Sequence, residues 1–339
     1  MIVYVGNMLS VHGSSVGVIE VLSQRFSKKY TVVSTSSKKQ IIPRFFQMLW
    51  TVYKNRKNCK VVLIDSYSSL AFWYTYFISL LCQMYRIPYI PILHGGNFPD
   101  RLQSSPRKCK RIFGKAACNI SPSIYLKEAF EQHNFKVEYI PNSLEIETYP
   151  FKQRNIFKPN ILWVRSFHYI YNPTLAPRIL KIILAKYPDA QLCMVGGDKD
   201  GSLAEVTSLA TELGVMDHIK ITGFLPKRDW QKLSEDYDIF MSTTNFDNHP
   251  VSLIEAMSLG LPVVSTNVGG MPYLIENGVD GILVEKDKPE QMAAAIISLL
   301  ENNDKAITIA KNARQKAETF DWKHISLKWY NILDKFIKK

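Results

Sequence analysis

The sequence predicts an α/β protein built from two doubly wound domains, each around a largely parallel sheet. Three observations carry that expectation. Short apolar runs of strand length alternate with stretches of helical periodicity along the whole chain. Its 339 residues exceed one ordinary domain, since domains hold roughly 100 to 200 residues each. A polar stretch with three prolines, PNSLEIETYPFKQRNIFKPN at 141–160, parts the strand candidates into two sets.

The first set runs IVYVG (2–6), YTVVST (30–35), KVVLID (60–65), YIPIL (89–93), ACNIS (117–121) and VEYIP (137–141). Between the third and fourth of these, residues 66–85 carry no charge, which is long enough to span a bilayer. Six of them are Ser, Thr or Gln, and a parallel pair needs a crossover there, so a buried helix is expected rather than a span. The second set runs NILWV (160–164), AQLCMVG (190–196), IKITG (219–223), DIFMST (238–243), PVVST (262–266) and GILV (281–284). The expected domains are therefore 1–150 and 151–320. In the last segment, 321–339, the spacing of Ile325, Trp329, Ile332, Leu333 and Phe336 predicts an amphipathic helix.

Composition narrows the class. With 46% hydrophobic and 21% charged residues, the chain has material for two cores, which excludes disordered, collagenous and coiled-coil readings. The five cysteines show no CxxC or Cys/His ligand spacing, so a reducing compartment fits better than a disulfide framework, and no metal site is expected. The apolar N-terminus lacks a basic leader and a long apolar core, and a cytoplasmic location follows as the expectation.

The net charge of +12 lies almost wholly in the first half: residues 1–150 hold 19 Lys/Arg and 8 Asp/Glu. A basic face suits nucleic acid, an anionic membrane or phosphorylated substrates, or is simply solvated surface. No nucleic-acid recognition motif accompanies it. In residues 41–58 Phe45, Phe46, Trp50 and Tyr53 stand beside Arg44, Lys54, Arg56 and Lys57. That mixture suits a helix lying at a membrane interface, or a core helix with one solvated end.

The most informative segment is NFDNHPVSLIEAMSLGLPVVSTNVGG at 245–270. It predicts a turn through Asp247, Asn248, His249 and Pro250, a helix from Val251, a stop at Gly260, a strand from Pro262 and a glycine turn at Gly269–Gly270. The N–H groups of Val251, Ser252 and Leu253 at that helix start would form an anion cradle. Asp247 lies in the turn and Glu255 just over one helical turn inside, so the two acids can serve different groups of one ligand.

This segment resembles family 4 of the retaining nucleotide-sugar glycosyltransferases, in which two acids eight positions apart are followed by AMAxGxPVV and a GG turn. The resemblance implies the GT-B fold, two Rossmann-like domains facing a central cleft, with acceptor binding in the first domain and nucleotide-sugar binding in the second. The final helix is then expected to cross back to the first domain. By resemblance Asp247, shorter than the usual Glu, contacts the donor sugar with Asn248 beside it, and Glu255 holds ribose hydroxyls. Arg165, in ILWVRS, is implied to neutralise the diphosphate, while the lysine usual about five residues later is absent from SFHYIYNP. ITGFLP places Gly223 and Phe224 where the base is clamped. YIPILHGGN places His94 at the cleft, and Gly13 stands where the family keeps a glycine facing the diphosphate.

The function implied is retaining transfer from a nucleotide-sugar donor, of UDP or GDP type, to a hydroxyl of a glycan or lipid-linked acceptor. It would need no metal and no cofactor, and peripheral contact with the inner face of an anionic membrane is expected, with no nucleic-acid partner. A sugar-nucleotide-binding protein without catalysis is the alternative.

Overall fold

The computed structural model describes residues 1–12 and 16–338. The chain divides into two units, Met1–Pro141 with Ile325–Lys339, and Asn142–His324. Each unit holds a six-stranded sheet in which every pairing between strands is parallel.

In the first unit β1 (Ile2–Val5), β2 (Val32–Thr35), β3 (Val61–Ser66), β4 (Tyr89–Leu93), β5 (Asn119–Ser121) and β6 (Val137–Tyr139) lie in the order β2-β1-β3-β4-β5-β6. In the second, β7 (Asn160–Val164), β8 (Gln191–Val195), β9 (Ile219–Gly223), β10 (Ile239–Ser242), β11 (Val263–Thr266) and β12 (Ile282–Val284) lie in the order β12-β11-β10-β7-β8-β9. All twelve expected strands are present. Their legibility has a simple cause: a parallel strand covered on both faces reads as an unbroken apolar run, and Val61–Ser66 and Tyr89–Leu93 are buried throughout.

The second sheet sorts its side chains by the two-residue period of a strand. Ile161 and Trp163 of β7, with Ile239 and Met241 of β10, join one core. Leu162 and Phe240 join another on the opposite face. Both faces are thus sealed, and the open positions are the strand ends.

The expected boundary at 150 is replaced by one between Pro141 and Asn142. Residues 142–160 form no free linker, because the backbone of Leu144 exchanges hydrogen bonds with Phe320 and Trp322 (3.1 and 2.7 Å). Arg154 is buried and donates to the carbonyls of Tyr237, Ser234 and Gly260 at 2.9 to 3.0 Å. A guanidinium carries five donors and loses little when carbonyls and Asp238 (3.4 Å) replace its water. The final helix spans Trp322–Ile337, and from Ile325 onward it belongs to the first unit, where Trp329 meets Phe26 edge-on at 5.3 Å. The uncharged run at 66–85 contains a helix, Phe72–Met84, and among the described residues no helix is long and apolar enough to cross a membrane.

Candidate active site

Neighbouring strands of the second sheet diverge in sequence between β7 and β10. At such a reversal of winding direction the connections leave toward opposite faces, and a crevice opens beyond the carboxyl ends of the two strands. Arg165 follows β7 immediately, and Asp247 lies in the loop after β10. The Arg165 Nη2 donates to Asp247 Oδ2 across that point. The ring of Tyr171 lies 4.8 Å from the same guanidinium, a cation–π contact that helps fix its plane. Both charged side chains keep some exposure, 21% for Arg165 and 14% for Asp247, so the pair is reachable by a ligand.

Glycines allow the loops here to approach closely. Gly270 donates its N–H to the Asp247 carbonyl at 2.9 Å, and a Cβ at Gly270 would overlap the Asn248 carbonyl oxygen. Gly269 has φ of +54° and would likewise meet the Asp247 carbonyl. The GG turn therefore clamps the backbone that carries the acid. On the other side, a Cβ at Gly196 would collide with the Arg165 carbonyl, and Gly196 N–H donates to Gly223 O at 2.9 Å. The ends of β7, β8 and β9 thus adjoin, with Gly223 at φ +73° turning the chain so that Phe224 stands half exposed.

The Val251–Ser258 helix begins directly after the Asp247 loop. Its N-cap is Pro250, with no side-chain cap, so Val251, Ser252 and Leu253 supply first-turn N–H groups of the kind that attract anions. Asn248 is buried and its N–H bonds Asp247 Oδ1 at 2.7 Å. His249 is buried, and among the described residues neither of its ring nitrogens has a hydrogen-bond partner. Burial lowers its pKa to about 4, so it is neutral at pH 7 and its ring packs edge-on against Phe320 at 5.3 Å.

Glu255 is buried one turn further in. Its Oε1 accepts from Tyr149 Oη at 2.7 Å and lies 2.6 Å from Lys227 Nζ. Neither partner was expected from sequence. Lys227 follows the ITGFLP loop directly, and that adjacency is the local signal that it approaches this site. In the stretch that lacks the usual lysine, Asn172 is occupied by Asp287 (2.8 Å) and the His168 ring nitrogen accepts from Ile170 N–H (3.2 Å). Tyr171, against Arg165, is the residue of that stretch that reaches the pair.

His94 belongs to the first unit, where it follows β4. Its Nε2 lies 3.0 Å from Asp65 Oδ1, and Tyr4 Oη donates to the same oxygen at 2.8 Å. Asp65 and Tyr4 are buried, and burial together with Asp65 pushes the Tyr4 hydroxyl pKa well up, so it stays a donor. A carboxylate only accepts, so Nε2 is the donor here, and the bond fixes the orientation of the imidazole ring. Sequence reasoning missed Asp65, although it ends the run KVVLID at the carboxyl edge of a parallel strand. Gly13, expected at the diphosphate, lies outside the described residues.

The structure thus groups Arg165, Asp247, Asn248, Gly223 and the helix start at one sheet edge. It sets Glu255 inside the helix with Tyr149 and Lys227, and it places His94 in a hydrogen-bonded triad of its own.

Known proteins share both sequence and architecture with this chain. The D-inositol 3-phosphate glycosyltransferase of Corynebacterium kroppenstedtii is 28% identical over 184 residues, which cover 53% of this chain and 41% of that protein. Spore coat protein SA of Bacillus subtilis is 27% identical over 186 residues, 52% of this chain and 49% of that protein. The matches therefore span less than half the length of these curated relatives. Among solved structures, sucrose-phosphate synthase of Thermosynechococcus elongatus superposes with a TM-score of 0.80 at 16% identity, covering 98% of each chain. Anabaena HepE, in complex with UDP and glucose, superposes with a TM-score of 0.76 at 19% identity, over 98% of this chain and 99% of that one. These likenesses establish the two-domain Rossmann-like α/β fold. Residues 147–316, which contain every site residue of the second unit described above, match the glycosyl transferases group 1, and the chain belongs to that family.

Proposed function

We propose that this chain transfers a sugar from a UDP- or GDP-type nucleotide sugar to a hydroxyl of a glycan or lipid-linked acceptor, with retained anomeric configuration. One observation carries the reading: the Arg165–Asp247 pair lies across the switch point of the second sheet, beside a helix start without a side-chain cap. A guanidinium holding a carboxylate through one nitrogen has further N–H donors for a diphosphate. The Val251–Leu253 amides add a preorganised partial positive charge where the leaving group gains negative charge. With those groups present, the reaction needs neither a metal ion nor another cofactor. Asp247 would orient the donor sugar and Glu255 the ribose, as in family 4 of the retaining enzymes. The complex of HepE with UDP and glucose supports a donor of this class. The setting we infer is cytoplasmic synthesis of a bacterial-type polysaccharide or glycolipid, with peripheral contact to an anionic membrane.

The test is to incubate the full chain with UDP- and GDP-sugars in excess chelator and measure nucleoside diphosphate release, with product anomers assigned by NMR. Release, accelerated by an acceptor and giving the donor's anomer, is expected. Tight diphosphate binding without any release would make this a binding protein, and no binding would overturn the site.

A further inference from the structure

We infer that the Ile41–Asn55 and Phe72–Met84 helices together form one membrane-docking platform, made for an anionic lipid leaflet. This deepens the membrane contact proposed above by assigning it a surface, and adds a helix that the sequence had marked only as buried.

The exposed side of the first helix is the wrong kind for water. Ile42, Phe46 and Trp50 recur every four residues, which keeps them in one stripe, and they are 69%, 62% and 61% exposed. Met48 and Val52 fill the core on the other side, so this helix is apolar on both faces. An ordinary surface helix turns charged residues outward. The neighbouring helix repeats the pattern, with Trp73, Phe77 and Met84 exposed while Phe72, Ile78 and Cys82 are buried. The two stripes are continuous: Phe45 meets Phe77 at 5.7 Å and Tyr53 meets Tyr85 at 5.9 Å. A groove of about 390 Å³ lined by Phe46, Leu49, Trp50, Tyr53 and Leu81 lies between them.

Charge selects the occupant. Residues 21–127 contain 18 Lys/Arg and two acids, Asp65 and Asp100, and Asp65 is buried. The cations sit at the margins of the platform. Arg56 stacks on Tyr53 at 4.1 Å at one end, and Lys108 lies 5.0 Å from the Trp73 ring on the side where the Pro106–Phe113 helix adds Arg107, Lys110 and Arg111. Aromatic rings at the centre with cations around them match an acyl boundary beneath anionic headgroups. A second copy of this chain would bring the same cations against themselves. Single-stranded nucleic acid would want cations interleaved among the rings along a strand path, whereas here Ile42 and Met84, which offer no ring for a base to stack on, stand exposed beside the aromatic residues.

The experiment is flotation of the full chain with phosphatidylcholine vesicles, with and without phosphatidylglycerol. Binding to the anionic vesicles is expected, weakened by salt, with Trp50 and Trp73 fluorescence quenched by brominated acyl chains. Replacing Phe46 and Trp50 together by Ser lowers partitioning at least about ten-fold, and Lys54→Glu with Lys57→Glu weakens it without touching the rings. Ile156→Ser, at an exposed apolar residue of the other unit, leaves it unchanged. Equal binding to neutral vesicles, or binding indifferent to both pairs of substitutions, overturns the inference. So does a concentration-dependent dimer that the Ser pair abolishes. Diphosphate release measured without vesicles reports on sugar transfer separately.

Discussion

Arg165 and Asp247, 82 positions apart in sequence, form an ion pair across the point where the second sheet reverses its winding. The pair couples two functions that the resemblance implies for separate parts of one donor, the sugar and the diphosphate. Each side chain is held before a ligand arrives: Arg165 by the ring of Tyr171, Asp247 by the Asn248 N–H. Preorganisation of this kind is what lets fixed charge stabilise a leaving group without reorganisation at the moment of reaction.

Replacing Arg165 by Ala should lower donor turnover at least about 100-fold, the loss typical of one preorganised donor. Arg165→Lys should fall between, because an ammonium keeps the charge and loses the planar fork. Steady-state rates in excess chelator, with melting temperatures as the fold control, check this. Near-normal turnover in Arg165→Ala would assign the residue to loop structure alone, and rates restored by manganese after chelation would overturn the metal-independent mechanism.

Glu255 makes two bonds with its own fold, so its ligand role needs a variant that separates the two. Glu255→Gln should weaken UDP or GDP binding by about 1.5 to 3 kcal/mol, the worth of charge-assisted hydrogen bonds. Tyr149→Phe should cost the fold about 1 kcal/mol through its lost bond to Glu255 and leave nucleotide affinity unchanged. Titration calorimetry with each diphosphate distinguishes them. Equal affinity in wild type and Glu255→Gln would make the carboxylate a structural partner of Tyr149 and Lys227.

Gly270 and Gly197 offer a matched comparison. A methyl group at Gly270 would overlap the Asn248 carbonyl oxygen, whereas one at Gly197 would find only Phe224 Cβ at 3.7 Å. Gly270→Ala should therefore destabilise the second unit by about 1 to 3 kcal/mol, the usual cost of overpacking, and reduce kcat by displacing Asp247. Gly197→Ala should melt like wild type. Similar melting temperatures for the two variants would mean that the glycine turn does not clamp the acid.

The parts legible in the sequence are those whose signal is local. Buried parallel strands announce themselves as apolar runs, and the Gly260 stop and Gly269–Gly270 turn announce close approach. The partners of site residues are set at long range. Asp65 reaches His94 across 29 positions and Tyr4 across 61, and what brings them together is the register of β1 with β3 and of β3 with β4. Tyr149 reaches Glu255 across 106 positions. The misplaced boundary has the same origin: Arg154 is held by backbone carbonyls, which no sequence pattern marks, so a stretch rich in proline and charge looked like a linker.

The buried imidazole of His249 gives the loop that carries Asp247 a pH signature. Its ordinary pKa of 6.5 is lowered to about 4 by burial, so between those values the unfolded chain binds a proton that the folded chain does not. Stability then rises with pH across this window: the contribution is complete above pH 6.5 and is lost as pH falls toward 4, about 3 kcal/mol in all. His249→Leu, close in volume and without ring nitrogens, removes the group and should flatten this part of the profile. Urea unfolding of both proteins at about pH 7 and about pH 4.5, values that span most of this window, can be followed by the buried tryptophans Trp163 and Trp230 of the second unit. Parallel pH profiles would show that His249 takes up its proton in the folded loop as readily as in the unfolded chain.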